Sequence, residues 1–317
     1  MIVLGVIMKK LSLILIFLIS LLNLALAGAP KKSDGPQNSG NLKFFGFYAS
    51  DMSGLDDVTE EIQSFVNITH VADPDIEAAF KKINRAKKLG LHVLYDISSC
   101  FFHPIKNSRK SWELYDDYEN RWMDLYWPKL KPFVEDGTIL AFYNLDEPFS
   151  KERLPGKKPQ ERAQILERVA KLVKDKFPLT PIALTLGGNS YDNYVLPKHH
   201  DWFGIDDYDC WDVCPGGVSV PDRYLRLMKK LNSDQFVYLI PDAWKWAKGK
   251  PSSEEQAQML DLYKKYLLFA KKQPKVIGLL HFIYQDLDSF PGTRSAPLLR
   301  DFIKKIGSNF KAKVSKK

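Results

Sequence analysis

Residues 139–148 carry the most informative stretch of the sequence, Ile139-Leu140-Ala141-Phe142-Tyr143-Asn144-Leu145-Asp146-Glu147-Pro148. Its first seven residues are mostly apolar and do not alternate strictly with polar ones. A strand of this kind is buried on both faces, which is typical of a parallel sheet covered by helices. The strand is followed at once by two acids and a proline, so carboxylates are expected where it ends.

Seven further runs of the same kind occur in the chain, before and after residues 139–145. The eight runs are residues 42–48, 66–71, 91–96, 139–145, 182–186, 202–206, 236–240 and 276–282. Apolar residues at helical spacing lie between them, over residues 75–89, 159–177, 221–231 and 252–272. About eight strand–helix units over about 265 residues predict an α/β fold, a (β/α)8 TIM barrel with a parallel eight-stranded sheet. An open doubly wound sheet is the alternative, but no glycine-rich phosphate turn follows the first strand.

Length and composition agree with one globular barrel. The chain has 317 residues, of which 45% are hydrophobic and 26% charged, and these values exclude a disordered or fibrous protein. The net charge of +8 is not concentrated in one segment, so no nucleic-acid partner is expected. We expect a monomer whose barrel domain covers residues 42–306, with a basic tail over residues 307–317.

The first residues have the layout of a secretory signal peptide. Lys9 and Lys10 precede an apolar run over residues 11–22, and Ala25-Leu26-Ala27 has the small-x-small pattern of a cleavage site. The sequence therefore predicts a signal peptide over residues 1–27 and a flexible leader over residues 28–41. A secreted or periplasmic protein without a stable membrane span is expected after cleavage near Ala27.

Three cysteines leave room for at most one disulfide. Cys210 and Cys214 are close enough in sequence to pair, and the sequence leaves open whether they do. Cys100 has no place in that pairing. Cys-x3-Cys alone does not supply the four ligands of a zinc site, and we expect no metal and no cofactor.

Acidic and aromatic residues gather after the C-terminal ends of the predicted strands. In a TIM barrel these ends meet at the catalytic face. The residues are Tyr48, Asp51, Asp73, Asp96, Asp146, Glu147, Asn189, Asp206, Asp207, Tyr208, Asp209, Asp242, Trp244, Gln285 and Asp286. The N-terminal ends of the strands carry nothing comparable.

A ring of acids with aromatic residues suits the cleavage of a glycosidic bond. One carboxylic acid protonates the leaving oxygen, and a second carboxylate acts as nucleophile or base. Crowding of carboxylates raises the pKa of one of them, which keeps an acid protonated near neutral pH. Aromatic rings supply faces on which sugar rings stack.

The stretch at residues 139–148 resembles the fourth strand of clan-A (β/α)8 glycoside hydrolases. In that clan an Asn-Glu-Pro triplet ends the strand and its Glu is the acid/base, a role that the resemblance gives to Glu147. Asp146 replaces the Asn that touches the sugar 2-hydroxyl. The Asp-Glu pair is also similar to that of exported barrels that cut galactosamine-containing polysaccharides.

The second carboxylate departs from the clan pattern. The clan has a nucleophilic Glu on the seventh strand, where this sequence has Asp242, which is one methylene shorter. Either Asp242 or Asp207 is the expected partner of Glu147, and Asp206 and Asp207 cannot both face the barrel axis because side chains alternate along a strand. The residues expected to bind sugar are Asp146, Asp96, Tyr48, Asn189, Tyr208, Trp244 and Gln285.

Two other functions remain open at this point. A non-catalytic glycan-binding barrel would keep the aromatic residues, and the missing seventh-strand Glu is compatible with it. A metal-dependent hydrolase would use Asp96, Asp146, Glu147 and Asp207 around a hard cation such as Mg²⁺ or Ca²⁺. The most direct interpretation is an exported glycoside hydrolase that cleaves a polysaccharide or oligosaccharide, with Glu147 as general acid.

Overall fold

Eight parallel strands close into a barrel, as the sequence predicts. The computed structural model describes residues 42–52, 54–106, 108, 110–187, 194–207, 211–213, 217–243, 249–287 and 290–314. The barrel strands are β1 Phe44–Met52, β2 Ile68–Ala72, β3 His92–Asp96, β6 Ile139–Tyr143, β7 Ile182–Gly187, β8 Trp202–Asp206, β9 Phe236–Ile240 and β10 Val276–His281. Neighbours in the barrel follow the order of the chain, and β10 pairs with β1 to close it. The (β/α)8 prediction is confirmed.

Several predictions fall on residues outside the described ranges. They are the signal peptide, the leader, the sugar-binding roles of Asn189, Tyr208 and Trp244, and the pairing of Cys210 with Cys214. Cys100 is described, and it is a buried free thiol.

Side chains on the two faces of the strands form two layers of the core. Small and branched residues such as Ile68 and Ala141 fill the barrel interior together with the aromatic rings of Tyr143 and Tyr238. Larger residues such as Phe47 and Phe142 face outward and pack under the helices. This double burial explains why the strands are almost continuously apolar.

Helices cover the outside of the barrel. They are α1 Thr59–Ile62, α2 Ile76–Lys88, α3 Ser98–Phe101, α4 Tyr118–Asn120, α5 Trp127–Glu135, α6 Pro159–Lys176, α7 Val220–Met228, α8 Ser253–Lys272 and α9 Pro297–Val314, with a π-helical segment at Arg121–Tyr126 and a 3₁₀ turn at Thr293–Ser295. Polar residues start them as the sequence suggests: the Asp75 carboxylate accepts from the first amides of α2, and Ser252 with Glu255 caps α8 reciprocally. Among the described residues, no helix is long and apolar enough to cross a membrane.

A short antiparallel hairpin interrupts the alternation after β3. Its strands are β4 Phe102–Pro104 and β5 Trp112–Leu114. The Trp112 amide donates a hydrogen bond of 2.8 Å to the carbonyl oxygen of Arg153, which ties the hairpin to the segment after β6. The sequence analysis did not predict this hairpin, because its strands are three residues long and only partly buried.

The C-terminal helix corrects the expected domain boundary at residue 306. Helix α9 continues to Val314, so the described part of the predicted basic tail is helical. Phe310 is buried, with its ring centre 6.0 Å from that of Phe45, and Lys311 donates to the carbonyl oxygen of Gln63 at 2.6 Å. The lysines of this segment suggest a solvated end, but Phe310, which lies between them, anchors the helix on the barrel.

Candidate active site

The loop after β6 presents Asp146 and Glu147 at the C-terminal end of the barrel. Its backbone takes positive φ angles at Leu145 (61°) and Glu147 (42°), on either side of Asp146. Such angles cost a non-glycine residue about 1–3 kcal/mol and persist where the surroundings impose them. Here the Leu145 amide donates to the Ser98 hydroxyl at 2.9 Å, and the Ser150 amide donates to the Glu147 carbonyl at 3.0 Å. The loop therefore holds both acids in one arrangement.

Asp146 is anchored on both carboxylate oxygens. The hydroxyl groups of Tyr48 and Tyr143 lie 2.8 and 2.7 Å from its Oδ1 atom and donate to it. Arg153 donates to Oδ2 at 2.8 Å. Three donors of this kind stabilise a charged carboxylate, so Asp146 places a fixed negative charge beside Glu147.

Glu147 lies over the end of β7. A Cβ atom at Gly187 would overlap the Glu147 carboxyl group, so the side chain rests where only glycine leaves room. Burial, and next the charge of Asp146, raise the pKa of Glu147 from 4.5 to about 7. At neutral pH a substantial fraction of this carboxyl group is therefore protonated and able to donate a proton.

Asp96 is a second acid with a raised pKa. Burial raises the pKa of Asp96 to about 6, against hydrogen bonds from Ser98 that lower it, and the charge of Asp146 adds to the increase. The Ser98 amide donates to Asp96 Oδ1 at 2.7 Å. Asp96 thus lies close to Asp146, as expected from the ends of adjacent strands β3 and β6.

A cavity of about 490 Å³ opens beside Asp96 and Asp146, and Glu147 follows directly on from its wall at Asp146. This volume lies within the range of about 300–1,000 Å³ that is usual for small-molecule sites. Its walls combine carboxylates with aromatic rings and one arginine, and they include Tyr48, Asp73, Asp96, Trp112, Asp146 and Arg153. Asp96, Asp146 and Tyr48 therefore border open space, as expected for substrate-binding residues.

The position of Asp207 differs from the expectation. Its carboxylate forms an ion pair with Arg223 of α7, and both side chains are almost completely buried. Tyr266 of α8 donates to the Asp207 carbonyl oxygen at 2.9 Å. Asp207 therefore belongs to the layer between strand and helices, and this geometry argues against it as the partner of Glu147.

Asp206 takes the inward position on β8. It is two residues from Gly204, where a Cβ atom would overlap the ring of Tyr238 in the barrel interior. Burial raises the pKa of Tyr238 well above its ordinary value, and the charges of Asp146, Asp206 and Asp96 add to this increase. The three carboxylates thus act on one hydroxyl group. Strand alternation alone separates Asp206 from Asp207 but does not say which of the two faces inward.

Asp242 follows β9 on its inward face. Ile240 and Tyr238, two and four residues earlier, belong to the barrel interior. Asp242 bridges to Phe282, and the Ala243 amide donates to the Phe282 carbonyl at 2.7 Å, so the strand direction continues to this residue. Asp242 is buried and remains a candidate second carboxylate.

Gln285, which the sequence analysis expects to bind sugar, lies behind the end of β1 and is not among the residues that line this cavity. It is completely buried, and its side-chain amide donates to the Ala49 carbonyl oxygen at 2.8 Å. This contact links the loop after β10 to the end of β1. Gln285 supports the wall of the barrel mouth and does not line the cavity.

His70 and Arg153 are site residues that the sequence analysis missed. The His70 ring stacks on Tyr48 with centres 4.5 Å apart, and its Nδ1 atom accepts from the Ala49 amide at 3.1 Å. Burial lowers the pKa of His70 to about 3, so the ring is neutral. Strand alternation places His70 on the same face of β2 as Ile68, two residues earlier. Arg153 lies in a loop, where no periodicity points to it.

Metal ligands are not assembled in the described part of the chain. No group of three or more His, Cys, Asp or Glu side chains is arranged there to hold a metal ion. Asp146 and Asp207, two members of the acidic set considered for a cation, are each bound by an arginine.

Comparison with known proteins places the fold among glycoside hydrolases. No protein-family model and no curated protein matches the sequence. Solved structures do match: a GH113 β-1,4-mannanase with TM-score 0.52 and 14% identity, over 84% of this chain and 99% of that one. A GH2 β-galacturonidase from Eisenbergiella tayi has TM-score 0.57 and 10% identity, over 84% of this chain and 51% of that one. A β-D-glucuronidase of Dictyoglomus thermophilum has TM-score 0.55 and 13% identity, over 85% of this chain and 50% of that one.

These similarities concern the fold. The chain spans nearly all of the mannanase and about half of the galacturonidase and of the glucuronidase. At 10–14% identity the likeness shows a TIM barrel of the kind that these glycoside hydrolases have.

Proposed function

We propose that the protein is an exported glycoside hydrolase in which Glu147 is the general acid. The observation that carries the proposal is the Glu147 carboxyl group, whose pKa is raised to about 7 beside the anchored charge of Asp146. A general acid works best with a pKa near the working pH. The fold of the solved glycoside hydrolases and the predicted signal peptide support the proposal.

The second carboxylate comes from β8 or β9. Asp206 and Asp242 are buried at the inward side of the strand ends, whereas Asp207 is paired with Arg223. Glu147 transfers its proton to the leaving oxygen as the C–O bond breaks. As that bond breaks, Asp206 or Asp242 acts in one of two ways. It attacks the anomeric carbon, and water then hydrolyses the resulting glycosyl ester with Glu147 as the base, or it takes a proton from a water that attacks the anomeric carbon directly.

The charge of the cavity favours a neutral sugar over a uronic acid. Asp73, Asp96 and Asp146 line it, and Arg153 is already bound to Asp146. A substrate carboxylate would have to compete with Asp146 for Arg153, the one basic side chain among the described residues of the cavity wall, which costs binding energy. Among the neighbours' substrates, a mannan therefore suits this cavity better than a glucuronide or galacturonide.

The test compares the wild-type protein with Glu147→Gln on mannan, other neutral glycans and uronic-acid glycans, scoring new reducing ends. We expect cleavage of a neutral glycan that falls about 10²-fold or more in the variant. Glu152→Gln is the matched control, because Glu152 is an exposed acid of the same loop. Unchanged cleavage by Glu147→Gln would rule out Glu147 as general acid.

Two further variants identify the second carboxylate. Asp206→Asn and Asp242→Asn are compared with each other, and we expect the larger loss of glycan cleavage from the variant that removes the second carboxylate. A thermal melt of each variant separates a loss of catalysis from a loss of stability. If the wild-type protein binds a glycan and cleaves none, the non-catalytic glycan-binding barrel is the better description.

A further inference from the structure

A second cavity lies on the other side of Trp112 from the catalytic one. It has a volume of about 350 Å³ and is bounded by the hairpin on one side and by the start of α6 on the other. Its walls include Trp112, Tyr115, Tyr118, Leu154, Lys157 and Arg168. Trp112 also lines the cavity beside Asp146, so one indole ring belongs to both spaces.

Trp112 differs from the other tryptophans that the structure describes. Trp122, Trp127, Trp202 and Trp211 each pack against at least one aromatic ring. Within the described ranges, Trp112 has no ring partner, no cation over its face and no side-chain hydrogen bond, and it is only half-buried. A large apolar ring left partly open between two cavities is suited to stacking on a ligand.

The backbone fixes Trp112 relative to the catalytic acids. Its amide donates to the carbonyl oxygen of Arg153, and the Arg153 guanidinium binds Asp146. Arg153 therefore connects the backbone of Trp112 to the carboxylate of Asp146. Preorganisation of this kind lowers the entropy that binding costs.

We propose that the second cavity is a further sugar-binding subsite, with Trp112 as the stacking platform between it and the catalytic cavity. The inference rests on the proposed function and narrows it: the substrate is an oligosaccharide or polysaccharide that crosses the hairpin, and not a single sugar on a small aglycone. Arg168 and Lys157 supply hydrogen-bond donors for sugar hydroxyl groups in the outer cavity, where Tyr118 adds a second aromatic wall.

The experiment measures how affinity depends on chain length. The full-length Glu147→Gln protein is titrated calorimetrically with β-1,4-linked manno-, gluco- and galacto-oligosaccharides, from disaccharide to hexasaccharide. We expect affinity for one series to rise with length. Adding Trp112→Ala or Arg168→Ala should remove most of the rise, about tenfold for the longest member, which corresponds to about 1.4 kcal/mol.

Matched controls separate binding from folding. Lys171→Ala changes an exposed residue of the same helix that lines neither cavity, and it should leave the length dependence intact. Trp112→Phe keeps a ring and should retain part of the effect. Arg168 is exposed, so its truncation tests the outer cavity even if Trp112→Ala folds poorly.

The outcomes distinguish this inference from the proposed function. Two results would overturn the subsite and leave the hydrolase, provided that cleavage depends on Glu147. One is affinity that does not rise with length, and the other is affinity that rises as steeply after Trp112→Ala and Arg168→Ala as in the Glu147→Gln protein alone. Length-dependent binding that needs Arg168 but comes without any cleavage by the wild-type protein supports the subsite in a non-catalytic barrel. No binding of any of the three series overturns the subsite.

Discussion

Glu147 depends on three neighbours for its properties. Asp146 supplies a nearby negative charge, Gly187 leaves room for the carboxyl group, and the Ser150 amide donates to the Glu147 carbonyl oxygen and holds the backbone. Asp146 itself is held in place because Tyr48, Tyr143 and Arg153 donate hydrogen bonds to it. The two adjacent acids therefore have different surroundings, and it is Glu147 whose pKa is raised toward neutral pH, as a general acid needs.

The raised pKa of Glu147 predicts a pH-dependent gain of stability in Glu147→Gln. The pKa rises from 4.5 to about 7 on folding, so the folded state binds the extra proton and wild-type stability falls as the pH increases through this window. At pH 8 the variant should be more stable by on the order of 1–3 kcal/mol, and at pH 4 the two proteins should be equal.

Urea unfolding at both pH values measures this difference. Glu152→Gln serves as the control, since its side chain is 63% exposed and should give no such pH dependence. An equal stability of wild-type and Glu147→Gln proteins at pH 8 would show that Glu147 ionises freely, and it would remove the reason for making it the acid. Activity should fall above pH 7 for the same reason.

At the scale of elements, the strand ends decide which side chains meet. β6 brings Asp146 and Glu147, β3 brings Asp96, and β8 brings Asp206 inward while its neighbour Asp207 turns to Arg223. β7 contributes no functional side chain but ends at Gly187, over which Glu147 lies. β7 therefore shapes the site because Gly187 has no side chain.

Gly187→Ala should reduce activity with little effect on stability. The added methyl group would overlap the Glu147 carboxyl group, which is the end of a flexible side chain and moves away easily. Displacing a catalytic group by about 1 Å costs up to about 10²-fold in rate. We expect a loss of about that size in kcat/KM, with a change of less than about 1 kcal/mol in the free energy of unfolding.

The double variant Gly187→Ala/Glu147→Gln provides the control. If both changes act through Glu147, the double variant should be no less active than Glu147→Gln alone, because effects on one shared group do not add. A large loss of stability in Gly187→Ala would instead point to a packing role for the strand end.

At the scale of the whole molecule, the acidic mouth of the barrel is internally compensated. Arg153 and Arg223 bind Asp146 and Asp207, while Lys82 bridges Asp51 and Asp73. Carboxylates occupied in this way would have to leave their partners to coordinate a cation, which is costly for the buried Asp207–Arg223 pair.

Activity should therefore survive chelation. We expect glycan cleavage to be unchanged after dialysis against EDTA, measured as new reducing ends on the best neutral substrate. A loss that added Mg²⁺ or Ca²⁺ restores would contradict the proposed mechanism. It would favour a metal-dependent hydrolase built on the same acidic residues.

Local sequence pattern was enough to predict the barrel. Strand formation depends on short apolar runs, and buried strands such as Ile139–Tyr143 carry that pattern within five residues. The parallel arrangement then brings the acids after each strand to one end. Alternation also separates Asp206 from Asp207, although the inward member becomes clear only when Gly204 and Tyr238 set the parity of β8.

The sequence by itself determined the eight strands, their order around the barrel and the end at which the acids gather, because these follow from local periodicity and chain order. Only the tertiary structure decided which acid is protonated, which is anchored and which is paired with arginine. Those properties come from contacts between residues far apart in the chain, such as Tyr48 with Asp146 and Arg223 with Asp207. Burial and charge depend on such contacts, and no local pattern encodes them.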